Sequence, residues 1–340
     1  MRLRKLGSVF LIAALFAPYL FALGIAPMPV AAQNQTIVFD MTHGQYSSYI
    51  FPNEDTDLKA DLEALGYTVV WAWGGLNDTI LADADGLMIG GIYGATAGFA
   101  QAEIDDVAEW FNAGNKFMWV GSDSDYAGYA YINNNASAIL SAVGSHVYPE
   151  PISVSDSESN CNASYRAVAN VTSSDPFVAD ILANVDQILM HGPTCLYGST
   201  TGDGAGAVDL RDTTIANVYP VLFYSPAATI GDSDLVAPLA HSDGDVGSFV
   251  AMTVETYAGE AGTGVLMVAG ASQYGDYKPM YADEYYDVTL SGQNLVPQAI
   301  EFGMDLAPTL TAGLDLVLIL GAAGAVVVVI VIVAVFMRRR

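Results

Sequence analysis

The 340-residue sequence has few cations, with 11 Lys and Arg against 37 Asp and Glu and a formal charge of −26. Between residues 33 and 313, only five Lys or Arg stand beside 36 acids. Nucleic-acid binding needs clustered cations to neutralise phosphates, so this function class is excluded. Because 52% of the residues are hydrophobic, a disordered acidic tail is excluded as well. The sequence predicts a folded, very acidic body that self-repulsion keeps soluble where salt screens its charge.

Cysteine is equally scarce, since Cys161 and Cys195 are the only two. They form no CxxC spacing, so a cysteine-based metal site is not expected. One disulfide between them is the simplest pairing in an exported protein, and two separate buried thiols are the alternative. Internal repeats and long low-complexity linkers are also absent, which favours one domain over residues 33–306.

The N-terminus combines a short cationic segment with an apolar run. Residues 1–5 contain three of the cations, and residues 6–25 are almost entirely apolar. Small residues precede Gln33, so the pattern predicts a secretory signal peptide over residues 1–32. A retained N-terminal anchor is the alternative.

The C-terminus has the composition of a membrane span. Residues 316–337 contain no charge, and as a helix this run is long enough to cross the roughly 30 Å hydrocarbon core. Three arginines at 338–340 then form a short cytoplasmic tail by the positive-inside rule. Residues 307–315 are a short stalk. We therefore expect a single-pass protein of the cell membrane, with its body extracellular and its C-terminus cytoplasmic.

Glycosylation sequons agree with an exported body. Five N-x-Ser/Thr motifs occur, at Asn34, Asn77, Asn135, Asn162 and Asn170. Together with the acidity and the two membrane signals, they favour an archaeal type of cell-surface glycoprotein. The acids also leave open a structural calcium site in short Gly-rich loops, although no EF-hand spacing is present; the candidate ligands are Asp232, Asp234, Asp243 and Asp245. No other cofactor is predicted.

Short β-type runs alternate with helical runs from residue 36 onward. Strands are expected at 36–40, 67–73, 86–90, 116–120 and 219–224, and helices at 57–65, 102–111, 134–143 and 294–304. Such alternation requires crossover connections, which predict an α/β fold with a doubly wound, mainly parallel sheet. Residues 248–256 and 264–269 predict an antiparallel C-terminal strand pair at one end of that sheet. Residues 149–163 are expected to run over the surface.

The carboxyl ends of parallel strands are where such sheets bind ligands. The residues that follow the predicted strands are unusually polar, and they give the candidate ligand-binding residues Asp40, His43, Gly91, Ser122, Asp123, Asp125 and Gln273. In this hypothesis, His43 contacts a ligand or a metal in a mouth shared with the aspartates. The alternative is structural, with His43 hydrogen-bonded to a loop and the aspartates serving as loop and helix-capping residues.

Several of these segments form a recognisable pattern: a strand, Asp-x-x-His-Gly, a helix, then ADGLMIGG, AEIDDVAEWFNAGNKFMWVGSDSDY and VLMVAGASQYGDY. The pattern resembles the class I glutamine amidotransferase-like fold in its non-amidotransferase branch. That branch includes ThuA-like proteins and auxiliary domains of gliding-type ABC transporters. The resemblance covers about residues 36–305 and implies a flavodoxin-like sandwich and, for extracytoplasmic members, a role in binding or assembly.

The catalytic members of that fold place a cysteine in a tight strand-to-helix elbow. This sequence has Gly121-Ser122-Asp123 there, and both cysteines lie elsewhere, so no catalytic residue is predicted. A serine variant is the alternative, with Ser122 as nucleophile and His191 or His241 as base.

The sequence as a whole therefore predicts a non-enzymatic surface protein whose glycosylated ectodomain binds a ligand or partner, such as a transporter or an envelope protein. An extracellular hydrolase and a structural envelope component are the alternatives. A late group of tyrosines is either a glycan or peptide contact surface or packing over the sheet end; its members are Tyr274, Tyr277, Tyr281, Tyr285 and Tyr286.

Overall fold

The computed structural model describes residues 35–45, 53–233 and 236–311. The predicted signal peptide, Asn34, the membrane span at 316–337 and the tail lie outside the described residues, as do residues 312–315 of the stalk. Within the described ranges, every helix is too short or too polar to cross a bilayer.

The strands are β1 Thr36–Asp40, β2 Thr68–Ala72, β3 Gly86–Ile89, β4 Phe117–Gly121, β5 Val147–Pro149, β6 Ser153–Asp156, β7 Arg166–Ala169, β8 Val171–Thr172, β9 Ile188–His191, β10 Leu196–Ser199, β11 Ala207–Val208, β12 Val218–Phe223, β13 Ala228–Gly231, β14 Val250–Ala258, β15 Gly264–Ala269, β16 Glu284–Tyr285 and β17 Val288–Thr289. The α-helices are α1 Asn53–Ala64, α2 Asp78–Leu81, α3 Gln101–Asn112, α4 Tyr131–Ala142 and α5 Gly292–Leu306. Single 3₁₀ turns occur at Tyr126–Gly128, Pro176–Val178 and Ala307–Thr309.

Eight strands form the central sheet, in the order β2-β1-β3-β4-β15-β14-β12-β8. The first five are parallel, and β14, β12 and β8 continue the sheet with antiparallel pairings. This confirms a mixed α/β fold with a large, mainly parallel sheet. The winding direction reverses between β1 and β3, and such a reversal opens a crevice at the carboxyl ends of these strands.

The predicted antiparallel pair is confirmed as β14 and β15, but its position differs from the prediction. β15 pairs with β4 on its other side, and β12 and β8 extend the sheet beyond β14. The pair therefore lies inside the sheet and not at its end. Every residue of β15 is buried, as expected for a central strand covered on both faces.

Helices cover both faces of the sheet. On one face, Leu58 and Leu62 of α1 share a core with Phe39 of β1, and α5 packs into the same core. On the other face, Phe111 of α3 and residues of α4 pack against Val38. Phe39 and Val38 point to opposite faces because successive strand residues alternate. The structure is thus doubly wound, as the alternation of elements predicts.

A strand-rich insertion between α4 and β12 was not anticipated. Its short strands contribute to three small sheets, β11-β10-β5, β13-β6 and β7-β9, of which β13 alone comes from the chain after β12. Ile152 and Val154 are buried, so the expectation that residues 149–163 run over the surface is wrong. The insertion lies against the carboxyl ends of β4 and β15, where Ser124 N–H donates to Gly192 O and Thr194 N–H donates to Gly270 O.

The predicted disulfide is also wrong, because both cysteines are free and buried. Cys161 packs in a small cluster with Val168 and Leu189, whereas Cys195 belongs to the main core. The low cysteine count indicated a pairing but contains no information on where each side chain packs. The alternative of two separate buried thiols is the observed one.

Four of the predicted glycosylation sites are described. Asn77, Asn162 and Asn170 are exposed, and Asn135 is half-buried on α4. The side-chain oxygen of Asn77 caps α2 by accepting from the N–H groups of Thr79 and Ile80, which leaves its amide nitrogen outside the cap. Their glycosylation remains a prediction.

Candidate functional site

The predicted strand-end residues divide into two groups, and the first surrounds His43 after β1. The Nδ1 atom of His43 lies 2.7 Å from Asp40 Oδ2, and its Nε2 lies 3.2 Å from Glu103 Oε2 on α3. Buried Asp40 also accepts from the N–H of Thr42 and the amide of Gln45. Burial works to lower the pKa of His43, but the two carboxylates outweigh it and hold the pKa above its ordinary value. The His43 ring is thus satisfied by carboxylates of β1 and α3 and links these two elements, and its role in ligand binding remains a prediction.

Gly91 and Gln273 hold strands together. The N–H of Gly91 donates to Ser272 Oγ at 2.8 Å, which ties the end of β3 to the loop after β15. The amide nitrogen of buried Gln273 donates to the carbonyl oxygens of Ile89, at the end of β3, and of Trp119, in the middle of β4. Both residues therefore make hydrogen bonds that stabilise the edge of the sheet.

Ser122 and Asp125 are buried as well. The amide of Asn133 donates to Ser122 Oγ at 3.3 Å and to the carbonyl oxygen of Asp123 at 2.7 Å. Asp125 accepts from the N–H of Ser233 at 2.8 Å. These contacts anchor the turn after β4 to α4 and to the loop after β13.

The second group joins the ends of three neighbouring strands and is more open to solvent. Tyr93 follows β3, Asp123 follows β4 and Asp276 follows β15, while His191 ends β9 of the insertion. Tyr93 Oη donates to Asp123 Oδ2 at 2.8 Å, and His191 Nδ1 lies 3.3 Å from Asp276 Oδ2. Of the predicted site residues, only Asp123 belongs to this group.

Burial and the neighbouring charge alter the protonation of this group. Burial, with a further contribution from the Asp276 charge, raises the pKa of Asp123 to about 8. Burial works to lower the pKa of His191, but Asp276 outweighs it and the pKa lies above its ordinary value. Both effects therefore favour the protonated forms of Asp123 and His191.

Tyrosines and cations surround His191 on the outer side of this group. We call this surface the tyrosine patch and define it as Tyr165, Arg166, His191, Tyr277, Tyr285 and Tyr286. The His191 ring stacks on Tyr277 with 5.6 Å between centroids. The Arg166 guanidinium lies 4.9 Å from the centre of the Tyr165 ring and 4.2 Å from that of Tyr286. Cation–π contacts of this kind hold the patch in one arrangement.

The tyrosine patch is exposed although its rings are large. Tyr165 is 48% exposed, Tyr277 53% and Tyr286 48%. Tyr274 and Tyr281 are buried, so the late group of tyrosines divides into packing residues and surface residues. Arg166 at the patch and Lys278 beside Tyr285 are two of the five cations between residues 33 and 313. The patch is thus an aromatic surface with cations on a body otherwise dominated by acids.

Of the second group, sequence reasoning named Asp123 as a ligand-binding candidate and His191 as a possible base, but it missed the other two members for identifiable reasons. Tyr93 and Asp276 lie in the same strand-end loops as predicted residues, so their positions carried a usable signal. Arg166 and Tyr165 come from the insertion, whose strands have no strong periodicity. Glu103 lies on a helix and meets His43 only through the fold.

Two sets of possible metal ligands are present. In the predicted calcium set, Asp243 accepts from the N–H of Asp232 and Asp245 accepts from that of Ser242, while Asp234 lies outside the described residues. This site remains a prediction. Elsewhere in the described ranges, three buried side chains place possible ligand atoms within 4.8 Å of one another, and they are Glu150, Cys195 and His241.

No protein-family model and no curated protein matches this chain. Among solved structures, it is similar to a domain described as the mmIFT52 N-terminal domain, with 10% identity, 79% of this chain and 97% of that chain covered, and a TM-score of 0.53. A ThuA-like protein from Bacteroides uniformis aligns at 13% identity over 82% of this chain and 95% of its own, with a TM-score of 0.42. A GMP synthase component from Thermoplasma acidophilum aligns at 9% identity over 80% and 96%, with a TM-score of 0.39. The first similarity shows a shared fold and no more.

Proposed function

We propose that this chain is a single-pass cell-surface protein whose acidic, glycosylated ectodomain binds a protein partner through the tyrosine patch. The observation that carries the proposal is the gathering of three half-exposed tyrosines around Arg166 and His191. Tyr and Arg are enriched in the buried centres of protein interfaces, whereas Asp and Glu are depleted there. The rest of the body is very acidic, so desolvation on binding a partner is favoured at this patch.

A membrane-associated partner fits the rest of the chain. The predicted stalk is short, so the ectodomain sits close to the bilayer. The resemblance to the non-catalytic branch of amidotransferase-like domains, which includes transporter-auxiliary domains, supports a transporter or another envelope protein as the partner. Aromatic rings supply contact area at low entropic cost because they have few rotatable bonds.

The contacts of Ser122 support binding over hydrolysis. Ser122 is buried, and its hydroxyl group accepts from Asn133. His191 faces Asp276 and His241 faces Glu150. In the described part of the chain, neither histidine contacts Ser122, although a general base must reach its nucleophile at about 3 Å.

The membrane orientation is tested with external protease on intact cells that produce the chain with a C-terminal epitope tag. We expect the ectodomain to be degraded while a small tagged fragment survives, and the tag to be lost once the cells are lysed. An ectodomain that survives in intact cells and is digested only after lysis would contradict the proposed surface location.

The binding surface is tested by cross-linking and recovery of the full chain from its native membrane. The double variant Tyr165→Ala/Tyr277→Ala should recover at least about tenfold less partner than wild type, the effect expected from losing interface hot spots. Tyr257→Ala is the matched control, because Tyr257 is 47% exposed at the hairpin joining β14 to β15, at the opposite end of the sheet. Equal recovery by the double variant and wild type would refute the role of the patch.

A further inference from the structure

We propose that Glu150, Cys195 and His241 form a binding site for a zinc-type divalent metal. The three residues come from separate segments: Glu150 follows β5, Cys195 precedes β10 and His241 lies in the loop before β14. Cys195 Sγ is 3.6 Å from His241 Nδ1 and 3.9 Å from Glu150 Oε2. His241 Nδ1 and Glu150 Oε2 are hydrogen-bonded to each other. Thiolate sulfur, imidazole nitrogen and carboxylate oxygen are the donor types that zinc selects.

The separations suit tetrahedral coordination. Zinc binds sulfur at about 2.3 Å and nitrogen or oxygen at about 2.0 Å, which places neighbouring ligand atoms roughly 3.3–3.6 Å apart. Both distances from Cys195 Sγ are close to this range. The His241–Glu150 pair is closer because a proton lies between its two atoms. Metal binding releases that proton and the Cys195 thiol proton, so the ligands become a thiolate, a neutral imidazole and a carboxylate.

The Glu150 carboxylate is oriented toward the shared position by its other oxygen. Glu150 Oε1 accepts from the N–H groups of Leu239, Ala240 and His241, at 2.6, 2.7 and 3.1 Å. These three donors fix the carboxylate plane and leave Oε2 toward His241 and Cys195. The arrangement is built before any metal arrives, which lowers the cost of binding.

On the far side of His241, the Asp209 carboxylate lies near the second ring nitrogen, although Nε2 makes no hydrogen bond within the described residues. This Nε2 lies 3.4 Å from Asp209 Oδ2, and Arg211 donates to the same carboxylate from Nη2 at 2.5 Å and from Nε at 2.9 Å. A carboxylate on the second ring nitrogen fixes the tautomer and orientation of a ligating histidine. The nearby Asp209 charge favours the tautomer protonated at Nε2, which leaves the Nδ1 lone pair for the metal.

The cluster is buried, so its polar groups require partners. Glu150 and Cys195 are fully buried and His241 nearly so. Polar groups in such positions are normally paired or coordinate metals. Pro149, Pro151 and Leu239, which lie close to Glu150 and His241 in the sequence, line a surface pocket of about 380 Å³.

The test uses the full chain, purified in detergent without chelators and loaded with Co²⁺ in place of zinc. We expect one cobalt per chain and the near-ultraviolet absorption band of a cobalt–thiolate bond. Cys195→Ser should abolish this band, and Glu150→Gln should weaken cobalt binding at least about tenfold. Cys161→Ser is the matched control and should leave both the band and the metal content unchanged, because Cys161 packs in a separate apolar cluster.

Two results would overturn the proposal: wild-type protein that is folded yet binds no stoichiometric cobalt, or a thiolate band that persists in Cys195→Ser. The first result is decisive even if a variant fails to fold, because it needs the wild-type chain alone. Zinc content in chain purified from native membranes, measured by mass spectrometry, provides a second reading on unaltered protein and should also approach one per chain.

Discussion

Asp123 is a partly exposed residue at the edge of the sheet, and folding favours the protonated form of its carboxyl group. It lies beside Asp276 at the sheet edge and accepts a hydrogen bond from Tyr93. Burial first and the Asp276 charge second raise its pKa from 3.8 to about 8. A group whose pKa rises on folding stabilises the protein below its unfolded pKa, and this contribution is lost as pH rises toward the folded pKa. For Asp123 the affected range is therefore pH 4 to 8.

Replacing Asp123 with Asn should stabilise the protein increasingly over that range, because Asn keeps the acceptor for Tyr93 and cannot ionise. The free energy of unfolding of Asp123→Asn, relative to wild type, should grow by about 1 kcal/mol or more between pH 5 and pH 8. Denaturant titrations at several pH values measure it. Glu260→Gln, at an exposed turn, is the control. Parallel pH profiles for Asp123→Asn and wild type would show that the carboxyl group is ionised in the fold.

The two cysteines give a second test at the residue scale. Both are free and buried, so native protein should react slowly with thiol reagents. In denaturant without any reductant, two thiols per chain should react at once, and mass spectrometry counts the labels. A count of zero that rises to two after reduction would contradict the structure and would show that a disulfide joins the two cysteines.

At the scale of elements, the strongly periodic segments were predictable. The expected strand at 36–40 and the expected strand at 264–269 match β1 and β15 residue for residue. Helix α3 extends its predicted range by one residue at each end. Long amphipathic or continuously apolar runs encode these elements locally, so tertiary contacts only adjust their ends.

The insertion was not predictable in the same way. Its strands β5 to β11 are two to four residues long and are fixed by pairing with distant partners, such as Leu196 with Pro149. Strand preference depends on such partners more than on local sequence. This also explains the incomplete site prediction. The loops after β1 and β4 gave Asp40, His43 and Asp123, whereas Arg166 and His191 reach the site through the insertion.

The packing of α5 on the sheet gives a prediction at the element scale. A Cβ atom added at Gly303 would lie 2.3 Å from ring atoms of Phe117, which is fully buried in β4. Overpacking of this kind costs about 1–3 kcal/mol and outweighs the helix-propensity gain of up to about 1 kcal/mol. Gly303→Ala should therefore lower the free energy of unfolding.

Gly74→Ala is the matched control for this prediction, because an added Cβ there meets nothing within 4 Å. Chemical denaturation should show Gly74→Ala unchanged within about 0.5 kcal/mol. If Gly303→Ala were as stable as the control, α5 could not pack on β4 as closely as described.

At the scale of the whole molecule, charge repulsion dominates the surface. A formal charge of −26 destabilises the compact state, and added salt screens it. The Debye length falls from about 10 Å at 0.1 M to about 3 Å at 1 M salt. The midpoint of thermal unfolding should therefore rise steeply between 0.1 and 1 M NaCl and level off above it. A midpoint independent of salt would mean that the acids are already compensated, for example by bound cations.

The net negative charge of the molecule also distinguishes the tyrosine patch from the rest of the surface. Most of the surface repels an acidic neighbour, and the patch gathers Arg166, His191 and exposed rings in one place. Under the proposed function, the ectodomain is anchored near the bilayer and binds its partner through this region. The proposed function therefore depends on the distribution of charge over the whole molecule as well as on the local contacts.

The most direct measurement is site-specific photo-crosslinking in intact native cells, with a photoreactive residue at position 277 or, as control, at position 257. The account predicts a discrete crosslinked species from position 277, with mass spectrometry mapping the adduct to one surface protein, and no such species from position 257. Crosslinking that is absent from position 277, or equal at both positions, would contradict partner binding through the tyrosine patch.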